Sequence, residues 1–320
     1  MFIRKARPWS LSENDITPES VFLNRRKLLA GMGFGLTASA IGGGLFPQGA
    51  MAAITGLPAE RNPAFTLDRD ITDENDAITY TNFYEFGSSK NIWKAARKLE
   101  TDPWAVTIDG MVEEDITIDA EDLVRKLGGV EERLYRHRCV EAWAMAVPWS
   151  GIQLSKLVAM ARPDAGAKYL RIETFHDPDI APGQKQSWYP WPYVEGITIE
   201  EANNELAFLG TGLYGKPMPK QNGAPLRLVL PWKFGFKSIK SIRRITFTDE
   251  KPVSFWQDLM WKEYGFWANV NPEYNHPRWS QETERLLGSN ERVPTLKYNG
   301  YSEWVEHLYA AMPQTRELFF

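Results

Sequence analysis

The densest chemistry in the sequence lies in eight residues, Arg136-His137-Arg138-Cys139-Val140-Glu141-Ala142-Trp143. Cys139 is the only cysteine, so no internal disulfide is open to it. A thiol binds metals and attacks carbonyls as the thiolate, and cationic neighbours favour that form. Arg136 and Arg138 therefore lead to the expectation of a lowered Cys139 pKa and a sulfur ready for a metal. The same sulfur suits a nucleophile served by His137 or His176, and a buried core cysteine is a third reading. Spacing alone leaves all three open. The four histidines, at 137, 176, 276 and 307, have no zinc spacing.

The elements that must hold this segment follow from periodicity. Leu134–Cys139 alternates and reads as a strand, which puts His137 and Cys139 on one face and the two arginines on the other. Upstream, Trp104–Asp109 reads as a strand ending at Gly110. Ile116–Asp119 then leads into a short amphipathic helix, Ala120–Leu127, closed by Gly128-Gly129. Downstream come a helix at Leu154–Ala161, a strand at Tyr169–Phe175, a short helix after Glu200 and an extended run at Leu206–Tyr214. Strands follow at Leu226–Leu230 and Ile239–Thr248, and a late helix near Glu303–Met312. Residues 53–80 read as loop. Many short strands in mixed sheets with few short helices make the fold class α+β. No break in composition divides 53–320, which reads as one domain.

The bulk numbers narrow the function. The chain has 320 residues and a net charge of −4, which argues against a nucleic-acid surface. Aromatic residues make up 13% and include 13 Trp, enough to line a broad pocket as well as a core. Residues 1–52 hold six of the 37 Lys/Arg and three of the 41 Asp/Glu, leaving −7 on the rest. Within them, Asn24-Arg25-Arg26-Lys27-Leu28-Leu29 is a twin-arginine sequence. A Gly-interrupted apolar run to Phe46 and a small-x-small site at Ala50-Met51-Ala52 follow. Residues 1–52 thus read as a cleaved export signal and the mature protein as periplasmic. That route carries proteins already folded around a cofactor. There is no nucleotide-binding glycine fingerprint in the mature part and no haem-attachment motif.

Arg138-Cys139-Val140-Glu141-Ala142-Trp143, followed by Val147-Pro148-Trp149, resembles the sulfite-oxidase-like molybdopterin enzymes. Within them it is similar to the catalytic subunits of periplasmic protein-methionine-sulfoxide reductases. Further segments carry the resemblance: Asn82-Phe83-Tyr84-Glu85-Phe86-Gly87, Thr101-Asp102-Pro103-Trp104, Pro192-Tyr193-Val194-Glu195-Gly196 and Gln221-Asn222-Gly223-Ala224-Pro225. So do Pro231-Trp232-Lys233-Phe234-Gly235-Phe236-Lys237 and the run from Tyr264 to Pro272. The likeness is collinear from about Arg25 to the C-terminus.

The resemblance implies a sulfite-oxidase-like molybdopterin-binding fold and Mo-molybdopterin as cofactor, with Cys139 the catalytic residue and the protein's ligand to the metal. It implies cofactor contacts from Asn82, Tyr84, Glu85, Thr174, Asn222, Arg227, Ser238, Ile239 and Lys240. Glu85 and Arg138 stand as supporting groups. Thr81 stands where an asparagine is expected, and no contact is assigned to it. The implied reaction is reduction of methionine sulfoxide residues in periplasmic proteins. Electrons would come from a membrane-embedded, haem-binding, quinol-linked subunit. No nucleic-acid partner and no homo-oligomer is expected. Sulfite oxidation, or reduction of another small S- or N-oxide on the same fold, is the alternative.

Overall fold

The computed structural model describes residues 56–320, all within one compact unit. The export signal expected at 1–52 lies outside the described residues. Among the described residues, twelve strands follow in chain order. The first six are β1 (Ala105–Gly110), β2 (Ile116–Asp119), β3 (Glu131–Arg138), β4 (Trp143–Gln153), β5 (Tyr169–Thr174) and β6 (Val194–Thr198). Then come β7 (Phe208–Leu213), β8 (Lys216–Pro217), β9 (Arg227–Val229), β10 (Ile242–Thr248), β11 (Thr283–Leu286) and β12 (Arg292–Pro294).

Two mixed sheets result. One has five strands in the order β2-β1-β10-β5-β6, with β1 and β10 parallel and the other pairs antiparallel. The other has seven, along β12-β11-β4-β7-β8, with β3 paired to β4 and β9 to β7. This is the expected α+β class with short helices between strands. Among the described residues no helix is long and apolar enough to cross a membrane.

The helix Ala120–Leu127 forms where its signals place it. The Asp119 side chain accepts from the Glu121 N–H at 2.9 Å, acids fill the first turn, Arg125 and Lys126 the last, and Gly128 closes it at φ 62°. Its Leu123 and Val124 are buried.

Several elements depart from the sequence reading, β6, β11, β12 and the helix Phe255–Met260 among those it did not foresee. A helix, Glu74–Thr79, capped by Asp73, stands in the stretch read as loop. β4 has no alternation to read, because ten consecutive residues are buried. Its Pro148 falls between the stretches that β11 and β7 pair, and there Thr72 bonds Ala146 through both backbone N–H and hydroxyl. β10 begins at Ile242 rather than Ile239, since Ser238–Ser241 turns out of the sheet, with Ser241 at φ 50°. The late helix splits into Ser302–Val305 and a 3₁₀ turn, Glu306–Tyr309. There Asn204 Nδ2 donates to the Trp304 carbonyl at 2.8 Å, competing for an acceptor that a continuing helix would use.

Candidate functional site

Three segments converge on a cleft. They are the loop Thr81–Glu85, the turn between β3 and β4, and the chain from Arg227 to Lys240. The turn is tight: the Ala142 N–H donates to the Cys139 carbonyl at 3.0 Å, and Ala142 sits at φ 64°. Cys139, at its head, is buried and faces the cleft. Its Sγ accepts from Asn82 Nδ2 and from the Glu141 backbone N–H, both at 3.5 Å.

The expected depression of the Cys139 pKa does not occur. Arg138 is fully buried on the other face, paired with Glu284 at 3.0 Å and bonded to Gln281 at 2.8 Å, and Arg136 is tied to Asp68. Burial pushes the thiol up to about 12, and the Glu141 carboxylate adds to that rise. Without a metal the group is a thiol; a cation at Sγ would favour the thiolate that two N–H donors already await.

The opposite electrostatic problem stands nearby. Arg227 is buried, directed at the carbonyls of Asn222 (2.8 Å) and Ser238 (3.1 Å), with the Trp149 ring at 4.8 Å. Burial alone brings its pKa down to about 9. The Lys240 ammonium donates to Thr81 Oγ1, the Asn82 carbonyl and the Gln221 carbonyl, each at 2.7 Å. Burial, then Arg227, pushes its pKa well down. Among the described residues neither cation has a carboxylate within ion-pair distance. Buried charge of this kind calls for an anion. Two glycines shape the same end. Gly223, at φ 113°, lets its turn close on Arg227 and Lys240, and a Cβ at Gly235 would meet His137 Nε2 at 2.5 Å.

Of the residues expected to hold the cofactor, Asn82, Tyr84, Glu85, Cys139, Arg227, Ser238, Ile239 and Lys240 line the cleft. Thr174 and Asn222 do not. The Thr174 hydroxyl donates to the Ser241 carbonyl at 3.1 Å, behind Lys240. Asn222 donates to the Ala77 carbonyl at 3.1 Å, and its buried Oδ1 has no partner. Glu85 is buried, and burial raises its pKa to about 7 against the pull of Lys240.

Sequence reasoning passed over several lining residues. Thr81, set aside for its type, bonds Lys240. Glu141, two residues after the thiol, holds Lys90 at 2.5 Å and accepts from Trp143 Nε1 at 3.2 Å and Asn82 at 3.3 Å. Its position beside Cys139 was the available signal. Tyr193 and Tyr264 lie in segments that carried the resemblance but were assigned no contact, and Trp256 carried no signal.

The nucleophile reading fails on proton affinity. His176 is exposed and off the cleft. His137 lines it, but burial, Arg227 and Lys240 hold the imidazole well below 6.5. Burial thus disfavours both the thiolate and a proton on this imidazole, which argues against the pair as nucleophile and base.

A buried thiol, two cations without a carboxylate at ion-pair distance and an aromatic wall in an α+β frame suit an anionic prosthetic group. Residues 93–256 match the model of the oxidoreductase molybdopterin binding domain, half of the chain. The chain belongs to that family of molybdopterin-dependent oxidoreductases, and its cofactor is Mo-molybdopterin. Among solved structures, it is similar to the sulfane dehydrogenase SoxCD from Paracoccus pantotrophus. The identity is 17%, the TM-score 0.44, and the match covers 68% of this chain and 58% of that one. The chain thus spans less than two thirds of that protein's length.

The cleft fits the group. Arg227 and Lys240, without a carboxylate at ion-pair distance, suit its phosphate, Asn82 and the surrounding amides suit polar ring edges, and Cys139 suits the metal. Among the described residues no cluster of three His, Cys, Asp or Glu could hold a metal by itself, so its remaining donors would come from the pterin dithiolene.

Proposed function

We propose that the protein reduces methionine sulfoxide residues of periplasmic proteins to methionine, with Cys139 as the protein's ligand to molybdenum. When bound, the molybdenum–pterin supplies two-electron oxygen-atom transfer. The balance is one sulfoxide, two electrons and two protons in, one thioether and one water out.

The chain's own residues divide the labour. Arg227 and Lys240 would hold the phosphate end, with Asn82, Tyr84, Glu85, Ser238 and Ile239 around the ring. Asn82 and the Glu141 N–H fix the sulfur of Cys139. The Lys90–Glu141 pair, about one quarter exposed on each side, sits beside the thiol at the open side of the cleft. Tyr84, Trp256 and Tyr264 form the approach and exclude water from the reacting sulfur.

The observation that carries the substrate reading is the distribution of charge. The unpaired cations stand at the cofactor end, while the charges on the approach are paired, Lys90 with Glu141 and Arg278 with Glu263 at 2.7 Å. A sulfite dianion wants free cations where it docks. A neutral sulfoxide on a thioether side chain suits an aromatic wall. The periplasm is supported by the Arg25-Arg26 sequence. Electrons from a membrane-embedded, quinol-linked haem protein fit a chain that carries no haem motif of its own. The test is turnover by the molybdenum-loaded enzyme. With an artificial reductant it should reduce an oxidised protein, and with an artificial acceptor it should leave sulfite untouched. Rapid sulfite oxidation without sulfoxide reduction would overturn the reading in favour of the alternative.

A further inference from the structure

We propose that the groove outside the Cys139 cleft binds the polypeptide flanking the oxidised methionine, as an extended apolar segment anchored on Trp188. This rests on the sulfoxide-reductase reading and adds to it what the enzyme selects. The groove is open to solvent and is lined by Trp188, Tyr189, Trp256, Leu259, Met260 and Trp279. It runs directly into the thiol cleft, since Tyr84, Glu141, Trp256 and Tyr264 line both. A small S-oxide needs only the inner cleft. A residue within a chain needs room for the backbone on each side, and the continuous groove supplies it.

Trp188 is the feature that marks an occupant. It is 66% exposed, exceeded among the large apolar side chains of the described residues by Trp261 at 72%. Its loop is nevertheless held. The neighbouring Tyr189 stacks on Phe255 at 5.7 Å and meets Tyr84 and Trp191 edge-on at 6.1 and 5.5 Å. The Tyr189 N–H also donates to the Gln186 carbonyl at 3.2 Å. An exposed indole on a braced platform is the form of a binding anchor, with little order left to impose. The unbranched Met260 beside it adapts to varied partners. Arg278 and Glu141 are both paired, so the groove selects by apolar contact and not by charge. The occupant is therefore a loosened or unfolded stretch of protein carrying aliphatic or aromatic side chains next to the sulfoxide.

The experiment uses the molybdenum-loaded enzyme with an artificial electron donor. Two synthetic peptides carry one methionine sulfoxide, flanked by Leu and Phe in one and by Gly and Ser in the other. A third carries the apolar flanks around methionine sulfone and is read by calorimetric binding. In the native enzyme the apolar peptide should have a KM about tenfold lower than the Gly/Ser peptide, with no dependence on ionic strength. Trp188→Ala should collapse that ratio to about one and weaken sulfone-peptide binding in step, and Trp188→Tyr should restore part of both. Equal KM values in the native enzyme, or an unchanged ratio in Trp188→Ala, would overturn the proposal. So would a Trp188→Ala defect seen only with a membrane donor, which would assign the groove to that partner. Trp188-dependent binding of the sulfone peptide without reduction of any sulfoxide would support the groove and remove the reaction assigned above.

Discussion

Replacing Arg227 by Met should separate cofactor binding from folding, and the magnitudes can be worked from its surroundings. Burial lowers the Arg227 pKa from 12.5 to about 9, which at about 1.36 kcal/mol per pH unit is a penalty of about 5 kcal/mol for keeping the charge. Against it stand two good hydrogen bonds to carbonyls, at 2.8 and 3.1 Å, worth roughly 1.5–3 kcal/mol each, and the Trp149 ring, worth about 1–2 kcal/mol. The terms nearly cancel, and Met fills much of the same space. The cofactor-free variant should therefore keep its stability to within about 2 kcal/mol. The loaded protein loses a charge-assisted bond to phosphate, about 1.5–3 kcal/mol, which is roughly 10- to 150-fold in affinity. Molybdenum per chain after reconstitution at limiting cofactor, with denaturant melts of both forms, reads the two effects separately. Wild-type molybdenum content, or equal destabilisation of the empty and loaded forms, would refute the placement of Arg227 at the anionic end of the cofactor.

Three further outcomes are expected. Cys139→Ser, nearly equal in volume, should fold normally and lose sulfoxide reduction, with altered optical and paramagnetic signatures of the metal because a soft donor has left it. Native activity in that variant would sink the ligand assignment. Burial pushes the His276 pKa down to about 4 from 6.5, with Arg278 and Arg316 adding and Glu263, at 3.3 Å, opposing. The folded state thus keeps a neutral ring, and between those two values the unfolded chain binds more protons. Its stabilising share is complete above pH 6.5 and is lost as pH falls through 4, by up to about 3 kcal/mol. In His276→Gln that acid loss should be absent, and identical pH profiles of unfolding free energy would count against it. Lysine at both Arg25 and Arg26 should leave folded, loaded protein in the cytoplasm, and normal periplasmic levels would exclude twin-arginine export.

Where one face of an element is wet, its periodicity was readable. β5 alternates half-buried and buried from Tyr169 to Thr174, and Ala120–Leu127 carries cap, charges and stop in sequence. β4 was invisible because burial along its length removes the alternation. Lys240 was read inside a strand because Ile239–Thr248 has strand composition. Its three carbonyl and hydroxyl partners instead turn the chain before Ile242. Glu141 and Lys90 show why parts of the site stay hidden. Each is an ordinary charged residue, and only the approach of the 81–92 segment to the β3–β4 turn makes them a pair beside the thiol.

The error over Cys139 carries the more general point. Adjacent arginines suggest an activated thiol only if their charges reach it, and a strand sends alternate side chains to opposite faces. Arg138 spends its guanidinium on Glu284, Gln281 and the Cys139 carbonyl, fastening the β3–β4 turn from behind. The cations that do face the cleft, Arg227 and Lys240, lie far along the chain and have no carboxylate at ion-pair distance. The cofactor-free cleft thus holds a thiol that burial keeps protonated and two cations with no carboxylate at ion-pair distance. Each deficit has the sign that a metal–phosphate cofactor would correct, the metal at one end and the phosphate at the other. Binding free energy is then linked to folding free energy, so the loaded chain is the more stable one. A chain exported in the folded state, as the twin-arginine reading of Arg25-Arg26 requires, would need to acquire that cofactor before it leaves the cytoplasm.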